Sequence, residues 1–189
     1  AQLTLVGAGI AANSQILLPS GAVRLEATSG DVVIGNTGAG QIDVGGVAKT
    51  FHDQARHTDG GEVLLIADFG SVVLAAGSSV DVSAPPQAGD AGRVAIRAAN
   101  GGVTLNGMLV GNGGGAGNGG VFQLDVGSLP TPSLAVLNAA LNRNGFTASR
   151  TIRVRNGDVL LDGAATSHAF DLAADNGSIV VTGIIDASG

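Results

Sequence analysis

The chain has 189 residues, 44% of them hydrophobic and 3% aromatic, which suits one domain with a sizeable core. Its formal charge of -6, with Lys49 the single lysine, sets a net field that repels nucleic acid. No apolar run reaches the roughly 20 residues of a membrane helix, since Asp68, Gly70 and Ser71 interrupt the best stretch, and the absence of cysteine excludes disulfides and thiolate metal sites.

In chain order, Ala1-Gln2-Leu3-Thr4-Leu5-Val6 reads as strand and lacks the basic region and cleavage site of a signal peptide. Val23, Leu25 and Ala27 then alternate with polar residues, followed by Gly30-Asp31-Val32-Val33-Ile34 and by Gln41-Ile42-Asp43-Val44-Gly45. The same three pieces return as Val63, Leu65 and Ala67, then Gly70-Ser71-Val72-Val73-Leu74, then Ser79-Val80-Asp81-Val82-Ser83. Val94, Ile96 and Ala98 precede Gly101-Gly102-Val103-Thr104-Leu105, and Phe122, Leu124 and Val126 make a copy whose second strand is missing. Ile152 and Val154 open the pattern ahead of Gly157-Asp158-Val159-Leu160-Leu161. Phe170, Leu172 and Ala174 lead to Gly177-Ser178-Ile179-Val180-Val181 and Ile184-Ile185-Asp186-Ala187-Ser188. Both ends are expected to be cut from a longer solenoid.

A short unit with one apolar edge cannot bury it alone, so stacked units are expected to share an interior. Three strand pieces per unit around a triangular core predict a parallel β-helix over residues 1–189. The rival arrangement is a series of antiparallel hairpins, because Asn-Gly occurs at Asn100, Asn106, Asn144, Asn156 and Asn176. Charge placement favours the stack. Alignment by apolar anchors sets Arg97, Asp125 and Arg155 at one outward position, Arg153 beside Asp171, and Glu62 beside Arg93.

Three segments depart from the unit. Residues 45–60 read as a loop insertion that packs Phe51, and residues 111–120 as a glycine loop. Residues 131–145 read as a helical insertion covering one flank, with Thr131 as cap, Pro132 at the first helical position, an apolar stripe of Leu134, Leu137, Ala140 and Leu141, and Gly145 as the stop.

His52, Asp53, Arg56 and His57, with Asp59, form the one cluster resembling a metal or acid-base site, and they are the candidate binding residues. Regular structure would separate the two histidines, although a loop could converge them. No Gly-x-Ser-x-Gly elbow accompanies Ser167 and His168. Gly115 to Gly120 matches GxGxxG but leads into a strand, where phosphate binding needs a helix N-terminus. Asp43, Asp81 and Asp186 recur singly, as residues that hydrogen-bond turn amides do. Asn176-Gly177-Ser178 is a formal glycosylation triplet explained by the repeat turn. With Trp and Tyr absent, no aromatic platform for sugar presents itself, and no catalytic residue, metal or cofactor is expected.

The unit running from Gly60-Gly61-Glu62-Val63-Leu64-Leu65-Ile66-Ala67-Asp68 to Asp81-Val82-Ser83-Ala84, and the ending Gly177 to Gly189, strongly resemble the repeats of filamentous-haemagglutinin-like exoproteins, and the resemblance runs over nearly the whole chain. It implies a right-handed parallel β-helix, so the expected fold is all-β, with the one short inserted helix of residues 131–145 departing from the family's plain repeat. It further implies a large Gram-negative surface protein, often an adhesin, exported by two-partner secretion. The family's export domain carries an Asn-Pro-Asn-Gly-type motif that this sequence lacks, so contact with the outer-membrane transporter is expected through another region. The expected role is a non-catalytic shaft at the bacterial surface, flanked by further coils of the parent. Second comes a module binding a host receptor or glycan, and third a polysaccharide-cleaving enzyme.

Overall fold

The computed structural model describes residues 1–188. The first repeat comprises β1 (Gln2–Gly7), β2 (Ile10–Ala12) and β3 (Gln15–Leu17), and the second β4 (Ala22–Ala27), β5 (Val32–Ile34) and β6 (Gln41–Asp43). An inserted pair, β7 (Ala48–Phe51) and β8 (Gln54–His57), precedes the third repeat of β9 (Glu62–Ala67), β10 (Val72–Leu74) and β11 (Ser79–Asp81). The fourth has β12 (Arg93–Leu105), which spans the first two strand positions, and β13 (Met108–Val110). The fifth holds β14 (Val121–Ser128) and the helix α1 (Ala135–Arg143). Two regular repeats follow: β15 (Ser149–Asn156), β16 (Val159–Leu161) and β17 (Ala164–Thr166), then β18 (Ala169–Asn176), β19 (Ile179–Val181) and β20 (Ile184–Asp186).

The first strands pair in parallel in repeat order, β1 to β4, β9, β12, β14, β15 and β18. Second strands form a parallel ladder through β2, β5, β10 and residues 103–105 of β12, and third strands one through β3, β6, β11 and β13. Both shorter ladders break at the fifth repeat and resume as β16–β19 and β17–β20. The fold is therefore all-β with parallel sheets and one short helix. The Asn-Gly steps fall within β12, at corners between strands or after α1, and the antiparallel strand pair, β7–β8, lies in the insertion.

Like residues stack over like, because parallel pairing keeps each inward position inward in the next repeat. Leu25, Leu65, Ile96, Leu124, Ile152 and Leu172 stand in one register column, the first five buried. Val32, Val72 and Val103 make a second column, and Ile42, Val80 and Leu109 a third. Each fully buried Val, Leu or Ile contributes roughly 1.5–3 kcal/mol, so these columns are the main source of cohesion.

Three expectations are corrected. Residues 45–60 are not an irregular loop packing Phe51 but chiefly a two-stranded antiparallel hairpin, with Phe51 60% exposed. The helix begins at Ala135, and Thr131 is exposed and does not cap it. Ser133 serves that end instead, its hydroxyl accepting from the Ala135 N–H at 3.2 Å and donating to the Asp162 carboxylate at 2.7 Å. Nor does α1 merely cover a flank. It packs against both β13 and β17, in the place of the third strand missing from the fifth repeat.

The charge alignment slips by two residues after Asp125. Asp125 faces Arg153 in register, Arg153 faces Ala173, and Asp171 faces Thr151. Arg155 reaches Asp125 along the diagonal, with Nε to Oδ1 at 2.8 Å, and Arg153 binds Asp175 at 2.8 Å. Glu62 and Arg93 pair as expected, at 3.3 Å. The slip arises because the inward position beneath Phe122 is held by Arg150, a residue that apolar pattern matching passes over.

Candidate functional site

The candidate binding residues lie on the inserted hairpin, which joins the stack through Gly46 donating to Ser83 O and through the hydrogen bond between the Ser20 and Thr58 hydroxyls, and is closed at its base by Thr58 donating to Val47 O. Ala48 pairs with His57, Lys49 with Arg56, Thr50 with Ala55 and Phe51 with Gln54, leaving His52 and Asp53 as the connecting residues. His52 takes φ +56°, the left-handed region that a turn of this length demands of one of its residues. His52 thus sits at the tip and His57 at the base, about 10 Å apart along the strand at 3.3 Å per residue. The two imidazoles do not converge. Asp59 is engaged elsewhere, accepting from the Asp90 N–H at 2.8 Å, and no group of three His, Cys, Asp or Glu suited to a metal occurs among the described residues. What the hairpin does present is an exposed aromatic, Phe51, beside two cations directly opposite each other, Lys49 and Arg56.

The remaining motifs resolve into scaffold. The buried Ser167 donates to Ala169 O at 2.8 Å and His168 is exposed, so they form no catalytic pair. The glycine loop of residues 111–120 lies against residues 85–89, with Gly114 bridging Gly89. Asp43 and Asp81 accept from the N–H groups of Gly45 and Ser83 at 2.9 and 2.8 Å, and Asp186 from that of Ser188 at 3.1 Å. The Ser188 hydrogen bonds hold the Asp186 carboxyl below its ordinary pKa.

Two features went unread in the sequence. The first is Arg150, wholly buried between Phe122 and Phe170 of the neighbouring repeats. Its guanidinium donates to Phe146 O at 2.9 Å, Asn138 Oδ1 at 3.2 Å, Asn142 Oδ1 at 2.6 Å and Thr166 O at 2.9 Å. No carboxylate takes part. Burial lowers its pKa to about 10, still far above neutrality, so a charge solvated by four oxygens binds α1 to β15 and β17. The signal available was the spacing of Asn138 and Asn142, one helical turn apart, toward a basic residue.

The second is a half-open cleft of about 380 Å³ between the end of β12 and the fifth repeat. Val103, Leu105 and Leu109 line one wall, and Leu134, Leu137 and Leu141 the other. Its cause is thickness, since a helix is about 10 Å across whereas neighbouring strands stand about 4.8 Å apart. Seating α1 in the third strand's place, with Ser133 bridged to the sixth repeat, holds the fifth repeat off residues 103–105 while the first strands β12 and β14 stay paired.

Comparison of the chain with known protein families, with characterised proteins and with solved structures finds no match.

Proposed function

We propose that this chain is a right-handed parallel β-helix and serves as a non-catalytic shaft segment of a large secreted exoprotein of the filamentous-haemagglutinin-like, adhesin kind. In this reading the Gram-negative parent leaves the cell by two-partner secretion, and these repeats hold more distal regions away from the surface. The observation that carries it is the ladder of first strands, in which β1, β4, β9, β12, β14, β15 and β18 pair in parallel and keep Leu25, Leu65, Ile96, Leu124, Ile152 and Leu172 in one column. Such a stack lengthens by repetition of one unit, the property a shaft needs. In-frame removal of these repeats from the parent is expected to shorten surface reach and reduce attachment; unchanged reach and attachment would sink the shaft reading.

A second reading has its own support. Phe51, exposed at the hairpin tip with Lys49 and Arg56 behind it, suits a host receptor or glycan carrying an anionic group. The isolated chain would then give a saturable signal on glycan arrays or cells that is lost on replacing residues 47–58 by a short glycine linker. A plain shaft gives no such signal with or without the hairpin.

A further inference from the structure

The second-strand ladder does not simply end at the fifth repeat; it opens. Pairing between β12 and β14 stops at Gly102 with Ser128, and the chain from Leu129 to Ser133 then swings away to pair with the sixth repeat instead. Leu134 donates to Leu160 O at 2.9 Å, and Leu160 donates to Pro132 O at 2.8 Å. Among the described residues, no following strand pairs with the edge of residues 103–105.

Parallel ladders use the main-chain groups of alternate residues on alternate sides. In the preceding repeats the residue in register with Val103 turns its groups toward the following repeat, as Val32 does in donating to Ser71 O at 3.0 Å. The residue in register with Leu105 does the same, as Ile34 and Leu74 do in accepting from Ala75 and Asn106 at 3.0 and 2.9 Å. The same geometry aims the carbonyl of Val103 and both groups of Leu105 into the cleft. There they meet Leu129, Leu134, Leu137 and Leu141 rather than a partner strand.

We propose that this cleft is a strand-addition site, taking an extended peptide of aliphatic residues in parallel beside Val103–Leu105. Main-chain hydrogen bonds to an unpaired edge supply affinity, and apolar pockets for alternate side chains supply selectivity. The volume of about 380 Å³ falls within the range of small binding sites. The ligand chemistry is that of the repeat's own second strand, which is the element missing at this position. The proposal goes beyond the shaft reading and does not depend on it.

The test uses the whole chain and a fluorescent peptide copying Gly70–Ala76, followed by anisotropy. Saturable binding is expected. N-methylation at the positions copied from Val73 and Ala75, whose N–H groups would face the edge, is expected to weaken it roughly tenfold. The same two methyl groups at the Val72 and Leu74 positions are expected to leave it near the parent value. On the protein, Leu137→Lys puts a charge in the cleft and is expected to abolish binding while circular dichroism is retained. Val180→Lys, on the open terminal repeat, is expected to leave binding intact. Binding indifferent to the register of methylation, or lost with Val180→Lys and kept with Leu137→Lys, would overturn the proposal.

Discussion

Arg150 stands in register with Phe122 in one neighbouring repeat and Phe170 in the other, so a guanidinium occupies a column position that aromatic rings hold on either side. The charge is accommodated because α1, the turn after it and β17 bring four oxygens to it, from Asn138 and Asn142, from Phe146, and from Thr166. Removing it leaves those acceptors without their donor, two of them on the buried residues Asn138 and Phe146.

Arg150→Met is accordingly expected to destabilise the chain by about 3 kcal/mol, read as a lower urea midpoint. Arg150→Lys recovers little of this, since an ammonium on a flexible stem cannot reproduce the planar fork. In hydrogen exchange, the amides of α1 should lose protection ahead of those of β4 and β9, which lie repeats away from the network.

Ser133→Ala is expected to cost about 1 kcal/mol, because the hydroxyl links the first helical N–H to Asp162. Thr131→Ala, at the exposed position that pattern reading makes the cap, should leave thermal stability within about 0.5 kcal/mol. Equal losses from the two substitutions would contradict the observed start of the helix.

The Arg155 hydrogen bonds hold the Asp125 carboxyl below its ordinary value of 3.8, more than burial raises it. A carboxyl with a folded pKa below its unfolded one contributes stability above the unfolded value, and that contribution is lost as pH falls through the folded pKa. Stability should therefore decline as pH drops below 3.8, and Arg155→Met should flatten that decline. Near neutral pH the same substitution should cost no more than about 1 kcal/mol, as befits a half-exposed pair.

Gly101 sits where the corner of the fourth repeat passes over the third, and a Cβ there would strike the carbonyl of Gly70. Gly101→Ala should lower stability by about 2 kcal/mol or more, since backbone in a paired ladder cannot yield as a side chain does. Gly77, with φ +83° and open space around its missing Cβ, should accept asparagine with a far smaller loss in unfolding experiments.

His52→Gly should raise stability by about 1 kcal/mol by relieving the left-handed strain at the hairpin tip. It should leave the pairing of β7 with β8 intact, a result checked by cross-strand NMR contacts between Lys49 and Arg56.

The sequence by itself determined the repeating unit, and charge placement favoured parallel stacking over antiparallel hairpins. Alternation at Val23, Leu25 and Ala27, a corner glycine and the triplet of Val32 to Ile34 recur as a set, which is why Leu65 could be expected over Leu25; the pairing in space then decided the direction. Asp43 and Asp81 were likewise legible, because an aspartate's reach to the amide two residues on is local chemistry. The hairpin of residues 48–57 was obscured because its strands carry polar and charged residues on both faces, with no apolar period to announce them. Only the tertiary structure decided what the fifth repeat does. Whether Arg150 can lie inside depends on Asn138, Asn142 and Thr166 arriving together from other segments, and the cleft beside Val103–Leu105 exists because a helix is thicker than the strand it replaces. Those are properties of neighbours in space, which no reading of apolar spacing along the chain can supply.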